Sequence, residues 1–134
     1  MSSIHVDLLS LRTALEESWR PDTANLGVNV KGNPALGQCY PSSRVIQFFF
    51  PESEIAEGIV ITPSGTAEKH FWNVFKVDDK DVPVDFTWQQ FPPHSYVKSW
   101  KIRDRNHLND SEPTIQRVNL LLERVKHQLA GSRF

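Results

Sequence analysis

Pro41 and Pro51 bracket an apolar run and leave it one way of being a helix. Proline has no amide hydrogen and its ring clashes with the preceding turn, so Pro41 is tolerated only in a first helical turn. Pro51 must then close the helix behind Phe50. The run between them, Arg44-Val45-Ile46-Gln47-Phe48-Phe49-Phe50, reads as one short helix. Cys39, the only cysteine of the chain, falls at or just before its N-terminus.

That position has chemical consequences. A helix N-terminus offers unpaired backbone N–H groups and a partial positive charge, which favour thiolate over thiol. The Cys39 N–H can also donate to an oxyanion developing at an attacked carbonyl, and Gly37 lets a substrate backbone come close. A thiol nucleophile further needs an imidazole, and the imidazole needs orienting. Of the five histidines, His5 and His127 read as surface residues on helices, and His94 and His107 lie in loops. His70 sits in Lys69-His70-Phe71-Trp72-Asn73, a strand-like segment. Alternation puts it on one face with Trp72 and Val74, leaving Phe71, Asn73 and Phe75 on the other. Without Cys39 the same residue would read as a satisfied core histidine.

Asp85, between Val84 and Phe86, is a carboxylate in an apolar setting and demands a partner. An imidazole N–H would satisfy it and fix the tautomer; backbone N–H groups near Thr87 are the competing partners. A symmetric hairpin pairing Val77 with Val82 puts Asp85 opposite Val74, about 13 Å along the strand from His70. The same register puts Gln89 opposite His70. Either a bulge or skewed register brings Asp85 closer, or Gln89 supplies the orienting oxygen.

The remaining segments predict an α+β domain spanning residues 1–134, long enough to bury about two-thirds of its unfolded surface. Leu8, Leu11, Leu15 and Trp19 fall at helical spacing in residues 6–19, with Asp7 or Ser3 as cap and Pro21 as terminator. Residues 22–36 read as an ordered loop. Strands are expected at 58–62, 68–77 and 82–87, with a turn at Pro63-Ser64-Gly65 and a polar hairpin loop over residues 78–81. Residues 96–102 are a candidate strand. Pro113 opens a last helix with Ile115, Val118, Leu122, Val125 and Leu129 on one stripe.

Composition narrows the function classes. One cysteine cannot form an internal disulfide, which fits a reducing compartment. The first residues lack signal-peptide regions, and no apolar run approaches the roughly 18 residues of a membrane span, so a cytoplasmic location without membrane partners is expected. Residues 1–97 hold 7 Lys+Arg against 12 Asp+Glu, and residues 98–134 hold 8 against 4. The basic end is expected to be the solvated face of the last helix, with contact to an acidic partner as the alternative. A slightly acidic chain without a basic motif does not point to nucleic acid. One cysteine without a His-x₃-His pair gives no metal site, and no glycine loop of the phosphate- or dinucleotide-binding kind predicts a cofactor.

The segments Gly37-Gln38-Cys39, His70-Phe71-Trp72-Asn73 and Asp85-Phe86-Thr87 resemble, in order, the three signature segments of transglutaminase-like proteins in the papain-like superfamily. Tyr40 replaces their usual Trp. A closer resemblance is to the small bacterial YunG-like family. It is carried by Asn33-Pro34-Ala35-Leu36-Gly37-Gln38-Cys39, by the histidine segment, by Val84-Asp85-Phe86-Thr87-Trp88-Gln89-Gln90-Phe91, and by the helical segment around Leu120-Leu121-Leu122-Glu123-Arg124. The turn after the histidine strand is longer than the Asp-Gly type expected there, and Phe86 stands where Leu is usual.

The resemblance implies a reduced papain-like core: a cysteine-led helix packed on a small antiparallel sheet, with N- and C-terminal helices. It implies Cys39 as nucleophile, His70 as base and acid, and Asp85 as the orienting carboxylate. Asn33 and Gln38 become rival oxyanion donors, although an Asn before Pro is also a common turn former. Trp72 and Trp88 would shield the ion pair, or serve simply as core. The implied activity is thiol-dependent acyl transfer through a Cys39 thioester, giving amide or ester hydrolysis, glutamine deamidation or transglutaminase-like transfer. The substrate would be a peptide, a protein or a small amide or ester. The alternative is a non-catalytic peptide- or protein-binding domain on the same fold.

Overall fold

The computed structural model describes residues 6–24 and 33–131. Within them the chain is α+β, with three α-helices and a four-stranded antiparallel sheet. Helix α1, Leu8–Ser18, is capped by Asp7, whose carboxylate accepts from the Ser10 N–H at 2.7 Å; Ser3 lies outside the described residues. One face of α1 buries Leu11, Ala14 and Leu15. Trp19 turns the backbone to extended, and Pro21 opens a 3₁₀ turn, Pro21–Thr23, instead of merely ending the helix. Residues 25–32 of the expected loop lie outside the described residues.

Helix α2, Cys39–Phe49, starts at the cysteine, holds Pro41 in its first turn and stops one residue before Phe50, as the two prolines require. Helix α3, Glu112–Gly131, packs on both α1 and α2. The arc it buries is centred on Leu121, Val125 and Leu129, with Val118 and Leu122 at its margin. Ile115, expected on that stripe, is 40% exposed. A helix lying against two neighbours has its covered arc set by the groove between them, which a single-stripe reading misses.

The sheet has the order β3-β2-β1-β4. Strand β1, Glu54–Ile61, begins four residues earlier than expected, because its pairing with β2 runs on to Glu54 opposite Val74. Strand β2 is Ala67–Val77, and β4, Tyr96–Ile102, occupies an edge. Strand β3 is Lys80–Val84, not 82–87. The turn consists of Asp78 and Asp79 alone, both at positive φ (50° and 63°), which is the backbone of a two-residue hairpin. Aspartate tolerates that conformation better than most side chains. The register is therefore Val77↔Lys80 and Asn73↔Val84, two residues away from the symmetric pairing expected. Asp85 leaves β3 next to Trp72, not Val74.

The faces of β2 separate as the alternation predicts. Asn73 donates to the Ser43 carbonyl of α2 at 3.1 Å, Phe75 meets Phe50 and Phe71 meets Tyr40, so that face carries the helix. His70, Trp72 and Val74 lie on the other. Gly58, opposite His70, leaves room for the Trp72 indole: an added Cβ would come within 2.5 Å of the ring and 2.9 Å of the Ser99 carbonyl. No helix among the described residues is long and apolar enough to cross a membrane.

Gly58→Ala must push the indole or strand β4 aside. A destabilisation of about 1–3 kcal/mol is expected from such overpacking, read as a lower urea midpoint; an unshifted midpoint would show that Trp72 can move freely.

Candidate active site

The residues before Cys39 are fixed to the end of α1. Gly37 takes φ 78°, a conformation that selects glycine for the turn itself. Gln38 is buried, with its side-chain oxygen accepting from Thr23 Oγ1 at 2.9 Å and its Nε2 donating to the Arg20 carbonyl at 2.9 Å. Trp19 Nε1 donates to Ser42 Oγ, in the first turn of α2, at 2.9 Å. Gln38 is thus a clamp behind the cysteine, and its buried amide does not line the cleft into which Cys39 opens. The Cys39 side chain is half-buried at the wall of that cleft, which measures about 510 Å³.

His70 is fully buried. Its Nε2 lies 2.6 Å from Asp85 Oδ2. The other carboxylate oxygen, Oδ1, accepts from the Thr87 N–H at 3.1 Å and from Thr87 Oγ1 at 3.2 Å. The two partners weighed for Asp85 are therefore both present, one on each oxygen. Gln89 is exposed on the 3₁₀ turn Trp88–Gln90, so Asp85 and not Gln89 holds the ring. The two-residue hairpin turn is what resolves the distance expected between them.

The second ring nitrogen, Nδ1, is buried and meets no acceptor or donor in hydrogen-bonding geometry. Cys39 is nevertheless close enough to act on the ring. Burial pulls the His70 pKa down, but the Asp85 hydrogen bond, the Cys39 thiol and the charges of both groups outweigh it, and the value rises to about 9. The ring is therefore biased toward its protonated form, with Asp85 bonded at Nε2 and Cys39 near enough to add to the shift.

An aromatic shell encloses the imidazole. Trp72 stacks on it with centroids 5.6 Å apart, Trp88 meets it edge-on at 5.9 Å and Phe91 at 4.8 Å. Phe91 was readable only as part of the segment that follows Asp85, with nothing to assign it a contact. Asn33 Nδ2 donates to the Gln90 carbonyl at 2.9 Å, and its Oδ1 is buried without a partner. It ties the loop before Cys39 to the turn after Asp85, leaving at most its second N–H for a ligand.

The opposite wall of the cleft gave no signal in the sequence. Asp110 receives the Tyr40 hydroxyl and, at 2.9 Å, Arg44 Nε. Burial, together with that carboxylate, pushes the Tyr40 phenol up, so it stays protonated. Arg103 lies over the Tyr40 and Phe71 rings at 5.4 and 5.5 Å. These pairings join residues up to 70 positions apart, beyond the reach of local spacing. On the other side of Asp85, a separate pocket of about 290 Å³ is lined by Trp72, Val74, Pro83, Trp88, Val97 and Trp100. Among the described residues no cluster of three or more His, Cys, Asp or Glu side chains is placed to hold a metal ion.

Residues 7–130 match the family described as YunG protein. The chain belongs to the YunG family. The match takes in every site segment and, but for the last residue of α3, all three helices. No curated protein and no solved structure matches the chain significantly.

Because the folded-state pKa of His70 lies above its ordinary value of 6.5, the stability it contributes is complete below that pH and is lost as pH rises through about 9. Asp85→Asn should accordingly destabilise the protein more at pH 6 than at pH 10, measured by urea unfolding. Equal losses at the two pH values would mean that the ring is not protonated in the native state.

Proposed function

We propose that this protein is a thiol acyl-transfer enzyme with Cys39 as nucleophile, His70 as proton carrier and Asp85 as orienting carboxylate. The observation that carries the reading is the buried His70 ring bonded through Nε2 to Asp85, and the Asp85 bond and then the nearby Cys39 push its pKa up. A charged imidazole beside a thiol favours the ion pair that thiol nucleophiles use. A reduced papain-like core of the transglutaminase-like kind goes with this reading. Its support is the chain order Cys39, His70, Asp85, with α2 led by the cysteine and packed on an antiparallel sheet.

The Cys39 thiolate adds to the carbonyl carbon of an amide or ester, forming a C–S bond and moving the carbonyl electron pair to oxygen. The first backbone N–H groups of α2, which have no partner inside the helix, receive that oxyanion. Collapse breaks the bond to the amine or alcohol, which leaves with the His70 proton, and a thioester remains on Cys39. Water then adds to the thioester carbon as His70 takes its proton, and the acid departs with the thiolate–imidazolium pair restored. An amine in place of water gives transfer. The aromatic shell keeps bulk water from the ion pair and strengthens each electrostatic contact inside it.

A second reading, a non-catalytic peptide- or protein-binding domain, draws on the tryptophan-lined pocket beyond Asp85. Thiol reactivity separates the two. Alkylation of Cys39 by iodoacetamide at pH 6 is expected to be at least about tenfold faster in the wild type than in His70→Ala. Asp85→Asn should fall between them and Gln89→Ala should match the wild type. Cys39→Ala should retain the fold and lose both labelling and any amidase or transferase activity. If His70→Ala reacts as fast as the wild type at pH 6, the proposed pair does not operate.

A further inference from the structure

Arginines in folded proteins are held by carboxylates or carbonyls, because a guanidinium has five donors and no acceptor. Among the described residues six of the seven follow that rule. Arg12 meets Glu16, Arg44 meets Asp110, Arg103 meets Glu57, Arg105 meets Glu54 and Arg124 meets Asp22, while Arg20 donates to the carbonyls of Glu17 and Trp19. Arg117 is the exception. Its single hydrogen bond is from an Nη to the Thr114 hydroxyl at 2.9 Å, and its Nε is buried with no partner at all.

Arg117 also lines the cleft that holds Cys39. The same cleft has Lys69 on its wall, with no ion-pair partner among the described residues. The two acids of the lining differ in what they leave free. Asp110 is already occupied by Tyr40 and Arg44, and Glu68 is exposed at the rim. The first turn of α3, at Ser111 and Thr114, faces the cleft, and so does that of α2 at Cys39, so two positive helix ends converge there. With Nε buried, the Nη donors that Thr114 leaves free are the ones a ligand can meet, and the paired Nη edge of a guanidinium suits a carboxylate.

We infer that the cleft takes an acyl substrate carrying a carboxylate, and that Arg117 binds that carboxylate while Cys39 meets the scissile carbonyl. This rests on the reading of Cys39 as a nucleophile and adds the substrate class to it. Arg117 sits one turn inside α3, so the group it selects is fixed by a helix and not by a loop. Lys69, exposed on β2 and lining the same cleft, supplies a second and weaker attraction.

The test is protection of Cys39 against iodoacetamide by glutarate, with the neutral glutaramide as control, in wild type, Arg117→Gln and Arg117→Lys. The readout is the unprotected rate over the protected rate within each variant, so a change in thiol reactivity itself cancels. Glutarate at tens of millimolar should protect the wild type by about threefold or more, and glutaramide should not. Arg117→Gln should bring the glutarate ratio to that of glutaramide, and Arg117→Lys should retain part of it, since charge remains without the fork. Equal glutarate protection in Arg117→Gln, or none in a wild type whose Cys39 reacts rapidly, overturns the inference and leaves the nucleophile standing. A wild-type Cys39 no faster than a free thiol and indifferent to His70→Ala overturns the nucleophile itself, and this inference with it.

Discussion

A histidine without solvent exposure must find partners for its ring inside the protein, and here one partner comes from just beyond the end of a strand. Asp85 divides its carboxylate between the His70 ring and the Thr87 backbone and hydroxyl. The second contact matters as much as the first. It turns the chain out of the sheet immediately after Val84 and into the 3₁₀ turn that carries Trp88 and leads to Phe91. A carboxylate bonded on both oxygens cannot rotate to follow a moving imidazole, so the ring is held in one plane with its Nδ1 buried and unbonded.

The aromatic shell acts with that bond. Trp72, Trp88 and Phe91 exclude water from the ring on three sides, which raises the cost of charging it and, by the same low polarity, strengthens the attraction of the charges that face it. The net rise in the His70 pKa shows which effect wins. Gly58 belongs to this arrangement although it carries no chemistry, because the indole that stacks on His70 lies in the space a side chain there would fill.

Much of this was legible along the chain, and the parts that were not share a cause. The prolines at 41 and 51 located α2 and put Cys39 at or just before its start, where the structure makes it the first residue, and alternation assigned His70, Trp72 and Val74 to one face of β2. The hairpin after β2 was harder, because a stretch of four charged residues reads as a four-residue loop. Only the backbone shows that Asp78 and Asp79 alone take positive φ while Lys80 and Asp81 already pair. That two-residue difference moved Asp85 from too far away to within a hydrogen bond of His70. Gln38 reads the same in sequence whether it faces a ligand or a neighbouring turn, and its partners, Thr23 and Arg20, lie 15 and 18 residues upstream. The Tyr40–Asp110–Arg44 wall is longer-range still, and no spacing rule reaches it.

The clamp formed by Gln38 and Trp19 gives the N-terminal segment a part in holding Cys39 that its plain amphipathic pattern does not announce. The thiol's place is set by the residues that follow α1, Trp19, Arg20 and Thr23, through an amide, a hydroxyl and an indole N–H, all without a formal charge. Uncharged bonds of this kind are indifferent to salt and to pH over the range in which His70 titrates. The scaffold under the cysteine therefore stays constant while the charge beside it changes, and shortening the chain from its N-terminal end would loosen the seat of Cys39 without touching Cys39, His70 or Asp85.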